Sequence, residues 1–470
     1  KKQSLAIQGG LTHSGTFQSN LDSEFYPSVI IKGSYAADDK EGTVTPVFRY
    51  KSFVAGDVSE LKTPAVSITL SELIAQNETM PLLEESANSN HFAIGTYDNV
   101  NKTYGTLDGD TDGATMLTPG IGYRMRATTG AQGSNTLSMT GIPRTGAIQI
   151  PLNFTGDTWN LIGNPYTSAI KVGDFLTENT TLLDESHYGI YGWNGTGWVT
   201  YNNNNGSELI APTQGFFVAA KSTGNINFTS SMQTTNSTDD FISGRATTTN
   251  TAIKLNLTST SATAKTAVYF NENGTANFDL GYDSARFDEG NNTNLGIYTT
   301  YANDFDTTEL SIQTLPNTEL DETTIPIGIV TPAGVALTIN AINNLPYVIY
   351  LEDRVKGLWH NLSVSDYSFV SQENLSGTGR FFIHTQTEAL NNDKKNIENI
   401  KLTVTGKTVK IHRTDTSPLS ITVYNLKGQL VFSKPLYNHE NQFTMNDASG
   451  IYLVNLESQS SKTTFKVIIK

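Results

Sequence analysis

Short runs of alternating apolar and polar residues fill the chain and predict β-strands, while helical periodicity is weak. The first 53 residues carry apolar pieces at SVIIKG and VTPVFRYKSF, separated by Gly and polar residues. One helix is predicted over residues 67–75, SITLSELIA, where Ser and Thr precede an apolar series with acidic residues nearby. Further on, GFFVAAK and INFTSS alternate with period two between Gly-rich turns, as antiparallel strands with one packed and one wetter face do. A polar stretch at residues 234–252 cannot close a core. Beyond it, LSIQTL, TIPIGIV, VALTINAI and YVIYLED suit a sandwich ending near RFFIHTQ. A charged, amide-rich segment at residues 387–399 then precedes a last group of short alternating strands.

Self-similarity sharpens this picture. Residues 89–141 can be laid beside residues 185–231: each has an aromatic strand, a polar turn, a second aromatic segment, an Asn/Asp/Gly loop, and then TPGIGYRM or APTQGFFV. The stretches upstream correspond as well, FRYKSFVAG with SITLSELIAQN against WNLIGNPYTS with KVGDFLTEN. The expected organisation is an N-terminal β unit at 1–141 and a related unit at 142–235, either sharing its core or standing beside it. A linker at 236–252, a middle β-sandwich at 253–388, a linker at 389–399 and a terminal domain at 400–470 follow. The fold class is all-β, with multidomain antiparallel β-sandwiches.

Composition agrees with strands and turns. Charged residues make up 16% of 470, against roughly 25% in an ordinary soluble domain. A net charge of −14 with no basic stripe argues against nucleic acid as a partner. The chain has no cysteine, which removes disulfides, thiolate catalysis and cysteine-based metal sites. Its longest apolar runs fall far short of the roughly 20 residues of a membrane helix, so no transmembrane segment is expected. Residues 1–15 lack the pattern of a secretory signal, which by itself does not place the protein in the cytoplasm.

The last 70 or so residues resemble the type A C-terminal sorting domain of proteins exported by the type IX secretion system of Bacteroidota. The resemblance lies in a Y-N-x-x-G-Q hairpin at Tyr424, Asn425, Gly428 and Gln429, a G-x-Y-x-V strand at Gly450, Tyr452 and Val454, and a basic final strand with Lys462, Lys466 and Lys470. It implies an Ig-like terminal sandwich, export across the outer membrane to the cell surface or medium, recognition by the outer-membrane shuttle protein and translocon, and usual removal of the tail. Residues 268–287, 350–371 and 377–386, with 156–170 and 215–231 before them, also resemble modules frequent in such exported proteins. In the same group, the triplets at Ser284 and Thr307 resemble O-glycan acceptors.

Candidate chemistry is sparse. Asp108, Asp110 and Asp112 alternate before Gly113, a spacing that either converges on calcium or makes an acidic hairpin turn. An EF-hand would need Glu where Pro119 stands, and the matching loop of the second repeat is NNNNGSE. Calcium is the one cofactor this pattern brings forward. A second acidic group, Asp279, Asp283, Asp288 and Glu289, reads as a solvated loop. His91 and His187 occupy matching strand-edge positions in the two repeats. No His-Glu-x-x-His, phosphate-binding loop or nucleophile elbow occurs, so catalysis has no nominated residue. The aromatic strip around Tyr191, Trp193 and Trp198 supports either a sandwich core or stacking on a surface glycan. Trp159 and Trp359 both read as core anchors. The function expected is an exported structural or adhesive surface protein, with a carbohydrate-binding module as the alternative and a polysaccharide-acting enzyme behind it.

Overall fold

The computed structural model describes residues 5–8, 29–32, 47–51, 59–77, 91–92, 94–126, 136–140, 144, 146–234, 251–287, 295–301, 308–321, 323–387, 400–413, 419–425, 427–436, 438–445, 449–457 and 462–469. The fold is all-β. It divides into two compact units, Lys1–Thr387 and Glu388–Lys470. The expected breaks near residues 141 and 235–252 fall inside the first unit. Most of the expected linkers at 236–252 and 389–399 lies outside the described residues.

The duplication is written into the strand pairing, with one correction to the expected correspondence: the FRYK strand is the equivalent of Ile148–Leu152, and Ser59–Lys62 is the equivalent of the WNLIG strand. In the first repeat Val47–Lys51 pairs with Thr136–Thr140, Ser59–Lys62 with Tyr123–Arg126, Ile68–Thr69 with Met116–Leu117, and Ile94–Gly95 with Tyr123–Arg126. In the second repeat Ile148–Leu152 pairs with Gly224–Phe228, Trp159–Gly163 with Gly215–Ala219, Ala169–Lys171 with Leu209–Ile210, and Ile190–Trp193 with Gly215–Ala219. A short helix follows the same strand in each, α1 (Leu70–Gln76) and α2 (Val172–Asn179). Each buries an apolar stripe, Leu70 and Leu73 or Val172, Phe175 and Leu176, and each ends on a buried Asn, Asn77 or Asn179, whose amide donates to the carbonyl four residues back. The helix expected at 67–75 starts later because Thr69 and Glu72 form a capping box and Ile68 is held in a strand opposite Leu117.

The two repeats meet reciprocally. Thr63 N–H donates to Thr213 O at 2.9 Å and Gly163 N–H donates to Gly120 O at 3.0 Å, while Lys62 bridges Gln214 and Ile121 bridges Ile162. Such exchange of equivalent contacts is the signature of a two-fold interface, here within one chain. Gly120 has φ +94° and its counterpart Thr213 has φ +62°, so the second copy holds a β-branched residue in the left-handed region where the first has glycine. Each repeat keeps its own core. A third cluster of Leu61, Trp159, Leu161, Tyr191 and Phe217, with Phe287 from the middle sandwich, joins them.

The middle sandwich is one hydrogen-bonded path running from Leu358–Asn361 to Tyr367–Val370, folded over a core that includes Leu255, Val268, Ile327, Ile339 and Ile383. Its two ends face each other: the Tyr367 hydroxyl donates to Asp353 at 2.9 Å, and Phe369 packs on Phe381 at 5.1 Å. The antiparallel expectation needs one correction here, because Thr263–Asn271 and Leu310–Pro316 run parallel. A long connection between them, residues 272–309, lets the chain return in the same direction. Near the N-terminus, Leu5–Gln8 and Val29–Lys32 are parallel too.

A buried polar seam fixes the second repeat to this sandwich. Asn202 and Asn204 donate to Tyr282 O at 2.7 and 2.9 Å, Asn205 donates to the Tyr269 hydroxyl at 2.8 Å, and Asn203 N–H donates to Gly281 O. In return, Ala285 N–H donates to Ser186 O and the Ser284 hydroxyl donates to Tyr188 O. Beside them Asp283 is fully buried and accepts from the Tyr301 hydroxyl and from the N–H groups of Thr314 and Asp279. Burial pushes its carboxyl up to about 7, and those donors oppose the shift. Asp283 was expected in a solvated loop; desolvation at the seam gives it a structural place instead.

Because the folded pKa lies above the unfolded one, the stability this group contributes is present below about pH 4 and is lost as pH rises through about 7. Between those limits the wild type should lose stability relative to Asp283→Asn by up to about 1.4 kcal/mol per pH unit. Urea unfolding of both proteins across that range measures it, and a pH-independent difference would show that the carboxyl titrates alike in both states.

Candidate functional site

The aromatic hairpin of the second repeat, Ile190–Trp193 paired with Trp198–Tyr201, reaches across the seam. Its tip is tied to the sandwich by Thr263 N–H donating to Thr196 O at 3.0 Å. Gly197 is required there, since a Cβ would overlap the Thr263 carbonyl oxygen. Between hairpin and sandwich opens a cleft of about 440 Å³, lined among others by Trp193, Trp198, Phe287, Lys265 and Arg286. Arg286 is held by Glu309, which accepts from Nε at 2.8 Å and Nη2 at 2.6 Å. The Trp198 ring packs on Phe287 at 4.4 Å and on Trp193 at 5.4 Å, with interplanar angles of 61° and 64°. Its indole N–H is buried and has no hydrogen-bond partner among the described residues.

The expected trio therefore separates. Trp193 and Trp198 line the cleft, but Tyr191 is fully buried, its hydroxyl donating to Ala285 O at 2.9 Å. Strand alternation explains the correction: Tyr191 and Trp193 share a face, but Tyr191 lies one pair deeper, opposite Phe217 and beneath Phe287. The two tryptophans are edge-to-face, so no coplanar platform forms. Trp159 is buried as expected, whereas Trp359 is 48% exposed and is no core anchor, because it lies on the outward face of an edge strand. Phe287, Lys265 and Arg286 join the cleft from a distant part of the sequence, and only the pairing of the two repeats with the sandwich brings them there.

The acidic loop of the first repeat is a hydrogen-bonded turn. Asp108 Oδ1 accepts from Asp110 N–H and Asp112 Oδ2 accepts from Asp108 N–H, both at 2.8 Å, while Asp112 N–H donates to Asp108 O. Among the described residues, no three His, Asp or Glu side chains gather in a metal-holding group. His91 stands opposite Asp108 in a two-residue ladder. His187 bonds to Asp184 at 2.9 Å and packs edge-on to Trp159 at 5.1 Å; the imidazole, chiefly through that bond, lowers the Asp184 carboxyl. Ser284 is fully buried with its hydroxyl bonded to Tyr188 O and Asn202, which leaves no room for an O-glycan in the folded chain. Thr307, Asp288 and Glu289 lie outside the described residues.

The second unit is a sandwich of its own. Three strands, Ile400–Thr405, Thr408–Arg413 and Glu440–Thr444, form one sheet; Leu430–Leu436, Leu419–Asn425, Gly450–Glu457 and Lys462–Ile469 form the other. The sorting-motif residues build it. Asn425 Oδ1 accepts from Lys427 and Gln429 N–H, its amide donates to Gln429 Oε1 at 2.9 Å, and Gly428 turns the chain at φ +78°. A bulge shifts the register at Tyr424. Tyr452 and Val454 point into the core, and Gly450 opens their strand. Lys466 faces solvent between Phe465 and the buried Val467, whereas Lys470 and the side chain of Lys462 lie outside the described residues. No helix among the described residues is long and apolar enough to cross a membrane.

A family model described as a domain of unknown function, DUF8693, matches residues 75–384, about two thirds of the chain. The secretion system C-terminal sorting domain matches residues 392–470. No curated protein matches the chain. The sorting domain marks the protein for export across the outer membrane to the cell surface or extracellular space, and the interaction with the secretion machinery follows from it.

For the Asp loop, the turn geometry yields a clear expectation. Asp112→Ala should destabilise the chain by about 0.5–1.5 kcal/mol, the net worth of a hydrogen bond, and equally in EDTA and in millimolar calcium. Thermal unfolding under both conditions measures this; a loss seen with calcium alone would assign the loop a metal.

Proposed function

The chain belongs to the family of DUF8693, a domain of unknown function, and we propose that it is an adhesive surface protein whose seam cleft takes a surface glycan. The observation that carries this reading is the open cleft itself, about 440 Å³, walled by the rings of Trp193 and Trp198. The rings of Trp193 and Trp198, backed by the buried Phe287, present apolar surface to sugar C–H groups. Lys265 and the Glu309-bound Arg286 add polar groups that orient a hydroxyl-rich ligand.

Rigidity supports the same reading. A cleft between two elements holds its shape only if the seam does, and this seam is closed by buried amide and hydroxyl hydrogen bonds. The aromatic walls are thus pre-organised, which lowers the ordering cost of binding. The terminal sorting unit supplies the route to the surface, and the first unit supplies the contact made there.

Trp198→Phe shrinks the indole wall of the cleft to a phenyl ring and removes the N–H with it. On a glycan array, and by calorimetry with the glycan found, this variant should bind at least tenfold more weakly than the parent, while its melting temperature falls only slightly through the lost packing on Phe287 and Trp193. Equal affinity in parent and variant would reject the cleft as the site. Separately, deletion of residues 401–470 should abolish appearance at the surface, with the protein retained inside the outer membrane; normal surface display of the truncated chain, read by protease accessibility, would remove the role given to the tail.

A further inference from the structure

The middle sandwich places a large aromatic where its core makes no use of it. Leu358–Asn361 is the edge of the sheet, followed inward by Tyr347–Asp353, Phe381–Thr387 and Thr324–Val330. Alternation sends Ile349, Leu351, Phe381, Ile383 and Ile325 into the core. The opposite face carries Tyr350, Glu352, Trp359, Asn361, His384 and Thr324. Trp359 is 48% exposed there, although burying a large apolar side chain stabilises a fold by roughly 1.5–3 kcal/mol.

The exposed ring is nonetheless held still. Trp359 stacks on His384 with centroids 4.2 Å apart and planes 23° from parallel. His384 is fixed at both nitrogens, Nδ1 against the Thr324 hydroxyl at 3.1 Å and Nε2 against Glu352 at 3.0 Å. The other Glu352 oxygen meets Arg354 Nε at 3.2 Å, and that guanidinium lies 3.6 Å from the Phe382 ring centre. Tyr350 stands 6.3 Å from Trp359. One face of the indole is thus backed by an immobilised imidazole, and the ring is presented rigidly to solvent.

We infer that this sheet face is a second binding site, a platform for a neutral polysaccharide chain. The outward indole face covers the C–H face of a pyranose ring, and Tyr350, Glu352, Asn361 and Thr324 stand around it with donors and acceptors for ring hydroxyls. The charge pattern selects a neutral ligand: Arg354 and Glu352 neutralise each other, which leaves no net charge to attract an acidic or basic polymer. The open sheet face, in contrast to the seam cleft, suits a chain lying across the surface. None of these residues lines the cleft, so the platform stands whether or not the cleft binds a glycan.

The test uses the full chain with soluble β-1,4-glucan, β-1,3-glucan and mannan, and with polygalacturonate as the charged control, by affinity electrophoresis and calorimetry. The parent should bind one or more neutral polymers. Trp359→Ala should weaken that binding at least tenfold, Trp359→Tyr should restore most of it, and Trp198→Phe should leave it unchanged, with melting temperatures alike because Trp359 is outside the core. His384→Ala, which removes the backing, should weaken binding by a smaller factor. The proposal is overturned if no neutral polymer binds, if binding survives Trp359→Ala, or if polygalacturonate is preferred. It is overturned equally if the parent self-associates in the ultracentrifuge through a contact that Trp359→Ala abolishes while no polymer binds, since the ring would then serve contact between copies.

Discussion

Burial of the Asn202–Asn205 turn against the middle sandwich is the constraint on which the first unit depends. Amide side chains both donate and accept, so four consecutive asparagines can be withdrawn from water without stranding a charge. Asn202, Asn204 and Asn205 are each at most 5% exposed and find partners on the segment around Tyr282 to Ser284 and on Tyr269 and Thr314. That segment brings Arg286 and Phe287 under the aromatic hairpin. Without the seam there is no cleft wall and no cover over Tyr191.

What could be read in advance follows the range of the interactions involved. Strand alternation and the duplication are local or near-local patterns, and every principal pairing of residues 47–140 recurs in residues 148–228. The Tyr424–Gln429 hairpin was legible because Asn425 and Gly428 act within five residues of each other. The environments of Trp359, Ser284 and Asp283 differ from the expected ones, and of the two readings of Tyr191 the structure has the core. Each sits in a local pattern that fits either exposure or burial, and contacts outside that pattern decide its environment: Ala285 for Tyr191, Asn202 for Ser284, Tyr301 and Thr314 for Asp283, and the edge position in the sheet for Trp359.

The comparison of the two repeats shows how one backbone is put to two uses. Equivalent loops follow the aromatic hairpins and tie to the helix starts in the same way: Ser71 N–H donates to Gly113 O and Leu70 N–H to Thr115 O, as Gly173 N–H does to Gly206 O and Val172 N–H to Glu208 O. The backbone therefore does not determine which loop docks on the sandwich. Side-chain chemistry does. Asp108, Asp110 and Asp112 would each need a counter-charge to leave water, and they remain as a turn at the surface. The asparagines carry no such penalty and become the plug of the seam. The change from carboxylate to amide at one loop thus accords with the broken pseudo-symmetry of the pair, in which the asparagine loop of the second repeat docks on the sandwich.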